Sequence, residues 1–357
     1  MAGFLPARSI NDKLRKITVG IWLQQQQRQE ARKPLVVCRL SSKISDVLRL
    51  CDEHDIVSLP VFHEELNKFV AIVNLFHVMK YLMLKQVYAD LSSQDNPEYD
   101  KKARSNVINT FKDTVSDIID SWGAYAFTVH LTNDPLLGAI QELILKPNTY
   151  AILADASHPG EKAGSDVQRA SILTQHDVIT YLLNHPELNE NIQDVPAKNV
   201  MQKSWKTFTK KDDPNQPLYR PVSHARTSFV LSISHLVSAI TGFKCMAIHG
   251  VSSMAVVEKQ EDNIKLLDNL SASDIRHLNE DTVVDALLPV LDYLKKVRKT
   301  ERRPVVCYEE TPLAEVMELA VKNSVHRVWV IEEASERPVG EISMTDMLAM
   351  YAGVNRE

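Results

Sequence analysis

Thr311 to Tyr351 reads TPLAEVMELAVKNSVHRVWVIEEASERPVGEISMTDMLAMY, and this stretch decides the fold because it occurs twice. Leu313, Val316 and Met317 stand at i, i+3 and i+4, the spacing of one helix face. A β-rich run around VWVI follows, then a polar turn, a second strand through GEIS and a second helix. Ser42 to Leu82, SKISDVLRLCDEHDIVSLPVFHEELNKFVAIVNLFHVMKYL, superposes on it without a gap. Ile44 falls on Leu313, Val47 on Val316, Leu48 on Met317, Ile56 on Val325, Val61 on Val330 and Ala71 on Gly340. With the short run ahead of it, each copy reads strand–helix–strand–strand–helix.

Two further copies obey the same grammar. NDPLLGAIQELILKPNTYAILAD places Leu136 on Ile44 and Leu153 on Val61, and after the polar HPGEKAGSDVQ it resumes as ASILTQHDVITYLL. VSAITGFKCMAIHGVSSMAVV resumes as LLDNLSASDIRHL. A Thr-Val step precedes three copies, at Thr18-Val19, Thr114-Val115 and Thr282-Val283. One such unit buries little by itself, so the expectation is α/β units packed in pairs, sheet to sheet, with two pairs making the protein.

Composition sets the outer limits. At 357 residues, with 44% hydrophobic and 24% charged side chains, the chain has the make-up of a globular protein with a real core. A net charge of −5 gives no global basic field for nucleic acid or membrane. Basic residues cluster locally at Arg8, Lys13, Arg15 and Lys16, and in LKKVRKTERR from Leu294 to Arg303; each is a solvated face or a docking surface for an acidic partner, and the second run is also a candidate contact for phosphate. Cys38, Cys51, Cys245 and Cys307 lie far apart, without metal spacing, and Cys38, Cys245 and Cys307 sit in apolar runs as core residues of a reducing compartment. FVAIVNLFHVMKYLML is broken by Asn74, His77 and Lys80, so no membrane span is expected. The N-terminus lacks a signal-type apolar core, and a cytoplasmic or nuclear protein is expected. Ten glycines occur, in neither a G-x-x-x-x-G-K-[ST] nor a G-x-G-x-x-G arrangement, so any phosphate would be held by side chains and helix starts.

The repeats resemble CBS domains, and their fourfold arrangement resembles the gamma, nucleotide-sensing subunit of AMP-activated protein kinase. VHRVWVIEE…GEISMTDML is similar to that family's fourth repeat, SILTQHDVITYL to its second and GVSSMAVVE to its third. The resemblance implies four CBS repeats forming two paired modules, divided as 1–90 with an N-terminal extension, 91–190, 191–280 and 281–357. It implies a non-catalytic regulatory subunit that binds AMP, ADP or ATP in clefts between paired repeats and works with protein kinase catalytic and scaffold subunits. No resident cofactor or metal is expected.

Site residues follow by the same resemblance. Asp177, Asp274 and Asp346 would accept the ribose hydroxyls, with Thr174, Ser271 and Ser343 three residues earlier as hydroxyls that cap the helix and reach the nucleotide. The S/T-x-x-D spacing is equally an ordinary helix-start box. His326 and Arg327 would face the phosphates, where the planar arginine fork suits phosphate oxygens. The alternative for that pair is an arginine on a surface carboxylate and a histidine packed at a strand edge. A nucleotide site here requires Asp346 and Arg327 to meet in one cavity with Asp274 nearby.

The pattern is incomplete. The first copy has Asn74 and His77 at the hydroxyl and Asp positions, so its cleft is expected to bind poorly. Val57-Ser58, Thr149-Tyr150 and Ser252-Ser253 stand where the fourth copy has His326-Arg327, with Lys146, Arg169 and His176 as candidate substitutes in the second copy. One or two working sites are expected. These departures, with the insertions HPGEKAGSDVQ and KSWKTFTKKDDPNQPLYRPVSHARTS, also fit fungal CBS-repeat proteins that restrain phosphatases, which would make the chain a scaffold with little nucleotide binding.

Overall fold

The structure is a computed structural model, and it describes residues 8–29, 35–85, 105–122, 129–145, 151–155, 167–188, 192–201, 204–208, 229–260, 263–298 and 303–352. Each repeat contributes one small sheet. Repeat 1 holds β1 (Cys38–Arg39), β2 (Ser58–His63) and β3 (Lys68–Asn74); repeat 2 holds β4 (Val129–Leu131), β5 (Ala151–Asp155) and β6 (Ala170–Thr174). Repeat 3 holds β7 (Ser204–Phe208), β8 (Phe229–Ser234), β9 (Ser253–Gln260) and β10 (Asn263–Ser271). Repeat 4 holds β11 (Val306–Tyr308), β12 (Arg327–Ile331) and β13 (Pro338–Ser343).

The gapless match of the first and fourth copies reappears as an identical ladder. Cys38 pairs with Val61 and Val61 with Ala71; Cys307 pairs with Val330 and Val330 with Gly340. Both ladders carry an irregularity one step later, between Val61 and Phe62 and between Val330 and Ile331. Left-handed backbone recurs at matching turns, Asp55 with Ser324 and Asn67 with Glu336. The parallel pairs β1–β2, β4–β5, β8–β9 and β11–β12 each require a crossover, and a helix supplies it.

The crossover helices form because their apolar residues line one face. Ile44, Val47, Leu48 and Cys51 of helix Ile44–Glu53 are buried, as are Leu313, Val316, Met317 and Ala320 of helix Leu313–Lys322. In repeat 3 the corresponding helix is Ala239–His249, and Gly242 stands where the others carry Val47 and Val316. A Cβ there would lie 2.4 Å from Leu270 Cδ2, so the glycine is what lets β10 approach this helix. All four cysteines are buried, Cys51 together with the three expected in the core.

Two kinds of interface close the molecule. Sheets meet in sequential pairs: Phe69 of repeat 1 packs with Leu153 and Ala170 of repeat 2, and Ala255, Val257 and Leu266 of repeat 3 pack with Trp329 and Ile331 of repeat 4. Helices meet across the pairs. One core joins repeats 1 and 3, including Phe76, Val78, Phe243 and Met246; a second joins repeats 2 and 4, including Leu143, Val178, Met347 and Leu348. The four units therefore form a ring in the order 1, 2, 4, 3.

Connecting segments cross the boundaries drawn in sequence. Thr18 bridges Pro135, and helices Arg8–Lys16 and Val19–Gln29 bury Ile10, Leu14, Val19 and Trp22 in the core of repeats 2 and 4. Thr114 bridges Lys43 of repeat 1, Pro196 bridges Pro312 of repeat 4, and Pro289 bridges Ser238 of repeat 3. Each unit is completed by chain that lies elsewhere in the sequence.

Two local features differ from the sequence expectation. The long insertion ahead of the third copy begins with a strand, β7, added parallel to β8. The second helix of repeat 3 is a short 3-10 turn, Ala272–His277, in place of an α-helix. Ser271, Ser273 and Asp274 make local side-chain hydrogen bonds there, which compete with the helical ladder. Among the described residues, no helix is long and apolar enough to cross a membrane.

A candidate ligand cleft between repeats 3 and 4

The S/T-x-x-D segments all act as caps. In repeat 2, Thr174 N–H and Oγ1 donate to Asp177 Oδ2 at 2.9 and 2.6 Å, and Asp177 N–H donates back to Thr174 Oγ1 at 3.1 Å. Ser343 and Asp346 repeat this in the fourth unit, with Ser343 N–H on Asp346 Oδ2 at 2.8 Å. Ser271 N–H donates to Asp274 Oδ2 at 2.8 Å. Even repeat 1 keeps the device: His77 N–H donates to Asn74 Oδ1 at 2.9 Å, and Asn74 N–H reaches His77 Nδ1 at 3.4 Å. That last bond needs a neutral imidazole, and burial, aided by Lys80, pushes the His77 pKa down to about 4. The recurrence of the motif is thus accounted for by capping in all four units.

What sets one cleft apart is what gathers around its aspartate. Asp274 lines a cavity of about 130 Å³ between repeats 3 and 4. Polar walls come from Ser271, Ser273, Arg298, Arg303, His326 and Arg327; apolar walls come from Val325, Val305, Trp329 and, from repeat 1, Val57, Leu75 and Phe76. A second cavity of about 750 Å³ shares Asp268, Arg298, Arg303 and Pro304 with it. Ligand pockets of roughly 300–1,000 Å³ are usual, so the pair together has room for a nucleotide-sized molecule.

Arg298 is the best-anchored cation here. It follows helix Val290–Val297, whose Leu294 is buried one turn earlier on the same face. Arg298 Nε donates to Asp274 Oδ1 at 2.9 Å and Nη2 to Asp274 Oδ2 at 3.0 Å. Nη1 donates to Asp268 Oδ1 at 2.8 Å and Nη2 also to the Asn269 carbonyl at 2.6 Å. Burial works against this charge, but Asp274 and Asp268 hold the Arg298 pKa above its ordinary value. Burial raises the pKa of Asp268, with Arg298 opposing the shift. Two carboxylates therefore share one guanidinium in a nearly dry site, a pairing that tolerates loss of neither sign.

His326 and Arg327 reach the same cavity from the start of β12. Arg327 Nη1 donates to Glu341 Oε2 at 2.7 Å across the β12–β13 ladder, and Nη2 donates to Ser252 Oγ of repeat 3 at 2.8 Å. Arg327 thus does pair with a carboxylate, but a mostly buried one beside the cavity, with the two side chains 11% and 15% exposed. His326 has its pKa pushed down to about 4 by burial, with Arg327, His176 and Arg276 adding to the effect, so it is neutral at pH 7.

The site residues expected from sequence divide accordingly. Ser271, Asp274, His326 and Arg327 come together. Ser343 pairs with Arg327 across the β12–β13 ladder, but neither it nor Asp346 lines that cavity, and Asp274 is the aspartate that lines it with Arg327. The helix that Asp346 caps, Met344–Ala352, packs in the core shared with repeat 2, whereas Arg327 bonds Ser252 of repeat 3. Thr174 and Asp177 cap a helix in the repeat 2–4 core, where Gln175 Nε2 bonds Thr345 Oγ1 at 3.0 Å and the His176 ring meets the Val321 carbonyl at 3.3 Å. Lys146, Thr149 and Tyr150 lie outside the described residues. The sequence offered Arg298 and Arg303 only as members of a basic run that could contact phosphate, and did not single out Asp268 or Asn269. The basic run Leu294–Arg303 was the available signal, since Arg298 lies one turn beyond a residue of the apolar face. Among the described residues, no group of three His, Cys, Asp or Glu side chains is placed to hold a metal ion.

Comparison with known proteins agrees with the repeat architecture. The CBS domain family model matches residues 30–84 and 294–353, which contain the two copies related without a gap. The chain therefore carries CBS domains in its first and fourth repeats. It is similar to the SNF1-related protein kinase regulatory subunit gamma-like PV42b of Arabidopsis thaliana, 26% identical over 166 residues, 39% of this chain and 46% of that protein. It is also similar to protein SDS23 of Kluyveromyces lactis, 25% identical over 202 residues, 51% of this chain and 37% of that protein. The chain therefore spans less than half the length of either curated relative. A solved archaeal protein from Methanocaldococcus jannaschii, described as a candidate homologue of g-AMPK, superposes with a TM-score of 0.62 over 93% of this chain and 99% of its own, at 16% identity. That likeness speaks for the fold, which in this chain is four repeats in two sheet-to-sheet pairs.

Proposed function

We propose that this CBS-repeat protein is a non-catalytic regulatory subunit that binds an adenine nucleotide between repeats 3 and 4 and reports its occupancy to a protein kinase of the AMP-activated type. One observation carries the reading: a single cleft brings the carboxylate of Asp274, the cations Arg298, Arg303 and Arg327, and an apolar wall within reach of one ligand. The carboxylate suits ribose hydroxyls, the guanidinium groups suit phosphate, and Val305, Val325 and Trp329 suit a base. A kinase partner is supported by similarity to a gamma-like kinase regulatory subunit. Regulation would follow from differential binding: AMP, ADP and ATP would favour different packings of the ring, and the partner would respond to that difference.

A second reading has its own observation. Asp274 and Asp268 pair with Arg298, and Glu341 with Arg327, within the chain itself. A scaffold that regulates a phosphatase or another signalling partner, with the cleft kept as a structural ion network, would look the same. Calorimetric titration of the chain with AMP, ADP and ATP, beside Asp274→Ala, separates them. Micromolar binding that weakens at least tenfold in the variant supports the sensor; no heat from any of the three with the folded chain supports the scaffold.

A further inference from the structure

The carboxylate at the centre of the proposed site is already engaged. An ionised carboxylate has about four acceptor positions, two on each oxygen. Asp274 Oδ2 accepts from Ser271 N–H at 2.8 Å and from Arg298 Nη2 at 3.0 Å, which fills it. Asp274 Oδ1 accepts from Arg298 Nε at 2.9 Å and keeps one position. A vicinal diol held in bidentate fashion needs one open position on each oxygen. The Ser271 bond belongs to the backbone cap and the Arg298 bond to a side chain, so Arg298 is the group that must yield.

We infer that Arg298 competes, from within the chain, with ligand hydroxyls for Asp274, and so makes this cleft select ligands that carry an anionic group; the inference rests on the nucleotide reading above. The guanidinium is 13% exposed and cannot be left with unmet donors at such a depth. Its bonds to Asp268, Asn269 and Asp274 Oδ1 can persist while one Nη2 proton is released from Asp274 Oδ2. An anionic group in the same cavity, beside Arg303, His326 and Arg327, can take up that donor. A neutral nucleoside offers nothing in exchange. It displaces the Nη2 bond and leaves a buried guanidinium N–H without an acceptor, whereas a nucleotide supplies that acceptor itself.

The arrangement also ties the ligand to the fold. Arg298 directly follows helix Val290–Val297, and Tyr293 of that helix donates its hydroxyl to the Asp274 carbonyl at 3.0 Å. Movement of the guanidinium off Asp274 Oδ2 therefore acts at the end of the helix that completes repeat 3. Asp274 is held at its backbone by Tyr293 and at its carboxylate by Arg298, five residues apart on one element.

The test is a calorimetric titration of the full chain with AMP and with adenosine, in the wild type, Arg298→Gln and Asp268→Asn, each first confirmed folded by thermal melting. Wild type should favour AMP over adenosine by at least about tenfold, since each factor of ten needs the loss of only one such bond. Arg298→Gln should tighten adenosine by about tenfold and bring the two ligands near equality. Asp268→Asn keeps the Arg298–Asp274 contact and should keep the selectivity. If Arg298→Gln does not fold, Arg298→Lys retains the charge without the fork and should move the ratio in the same direction. An AMP-to-adenosine ratio unchanged by either Arg298 variant, with AMP still bound, would overturn the role of Arg298 and leave the nucleotide reading standing. Failure of the wild type and every variant to bind AMP would overturn both.

Discussion

Repeats 1 and 4 are the same backbone carrying different chemistry. Their ladders share register, irregularity and the positions of left-handed residues. Yet β2 opens with Ser58 where β12 opens with Arg327, and Asn74 and His77 cap a helix where Ser343 and Asp346 do so in the other. The cap survives replacement of Asp by a neutral histidine because a cap needs only an acceptor. A ligand site needs more: a charge of the right sign, and neighbours from another repeat to aim it. The repeated architecture therefore constrains backbone and core at every copy, and leaves chemistry to a few positions that each copy can change by itself.

The largest effect expected is on the two sheet contacts. Trp329 in the repeat 3–4 contact and Phe69 in the repeat 1–2 contact are 1% and 3% exposed, so Trp329→Ala and Phe69→Ala should each destabilise the chain by about 3–5 kcal/mol in denaturant melts. Trp329 also lines the cavity. Where both variants stay folded, the tryptophan variant alone should lose AMP affinity; equal loss in both would mean that ligand binding reads global packing and not the cleft.

Arg327 probes the difference more directly. Arg327→Ala leaves Glu341 mostly buried beside an empty position, and should cost about 2 kcal/mol of stability. Adding Glu341→Gln should recover most of that stability but none of the AMP affinity. Recovery of both would make Arg327 a structural partner of Glu341 and remove it from the ligand.

Smaller still are the caps. Asn74→Ala and Ser343→Ala should each cost about 1 kcal/mol, the common value for losing a side-chain cap, and neither should change AMP binding by more than about twofold. A cap loss in repeat 1 that abolished binding would contradict the placement of the site.

The two buried histidines give a pH dependence. His77 and His326 have folded-state pKa values near 4, below the ordinary 6.5. The unfolded chain therefore takes up protons before the folded one, and stability falls as pH drops from about 6.5 towards 4, then levels below it. His77→Gln should flatten part of that slope in urea melts run across this range. A slope unaltered by the substitution would mean that His77 does not stay neutral in the fold.

Much of this was legible in the sequence, and what was not has a physical reason. Apolar spacing at Ile44, Val47, Leu48 and their counterparts gave the repeats and even their strand register, because burial of one helix face and one strand pair leaves few alternatives. The caps were legible as S/T-x-x-D because a cap is local. Asp274 meeting Arg298 was not, since the contact depends on how helix Val290–Val297 docks on repeat 3, and no local pattern records that. That Asp274 and not Asp346 lines the cavity with Arg327 was hidden for a related reason. The two faces of repeat 4 turn toward different neighbours, repeat 2 for its helices and repeat 3 for its sheet, and that order around the ring is set by apolar contacts spread over the whole chain.

The central claim is that ligand chemistry is confined to the cleft of repeats 3 and 4, and its most direct test is a crystal structure of the chain grown with saturating AMP. The account requires density between Asp274, Arg298 and Arg327, with the phosphate on the side of His326 and Arg303. Density beside Asn74 and His77 instead, or a cleft unchanged from the present one with Arg298 still clamped on Asp274, would contradict it.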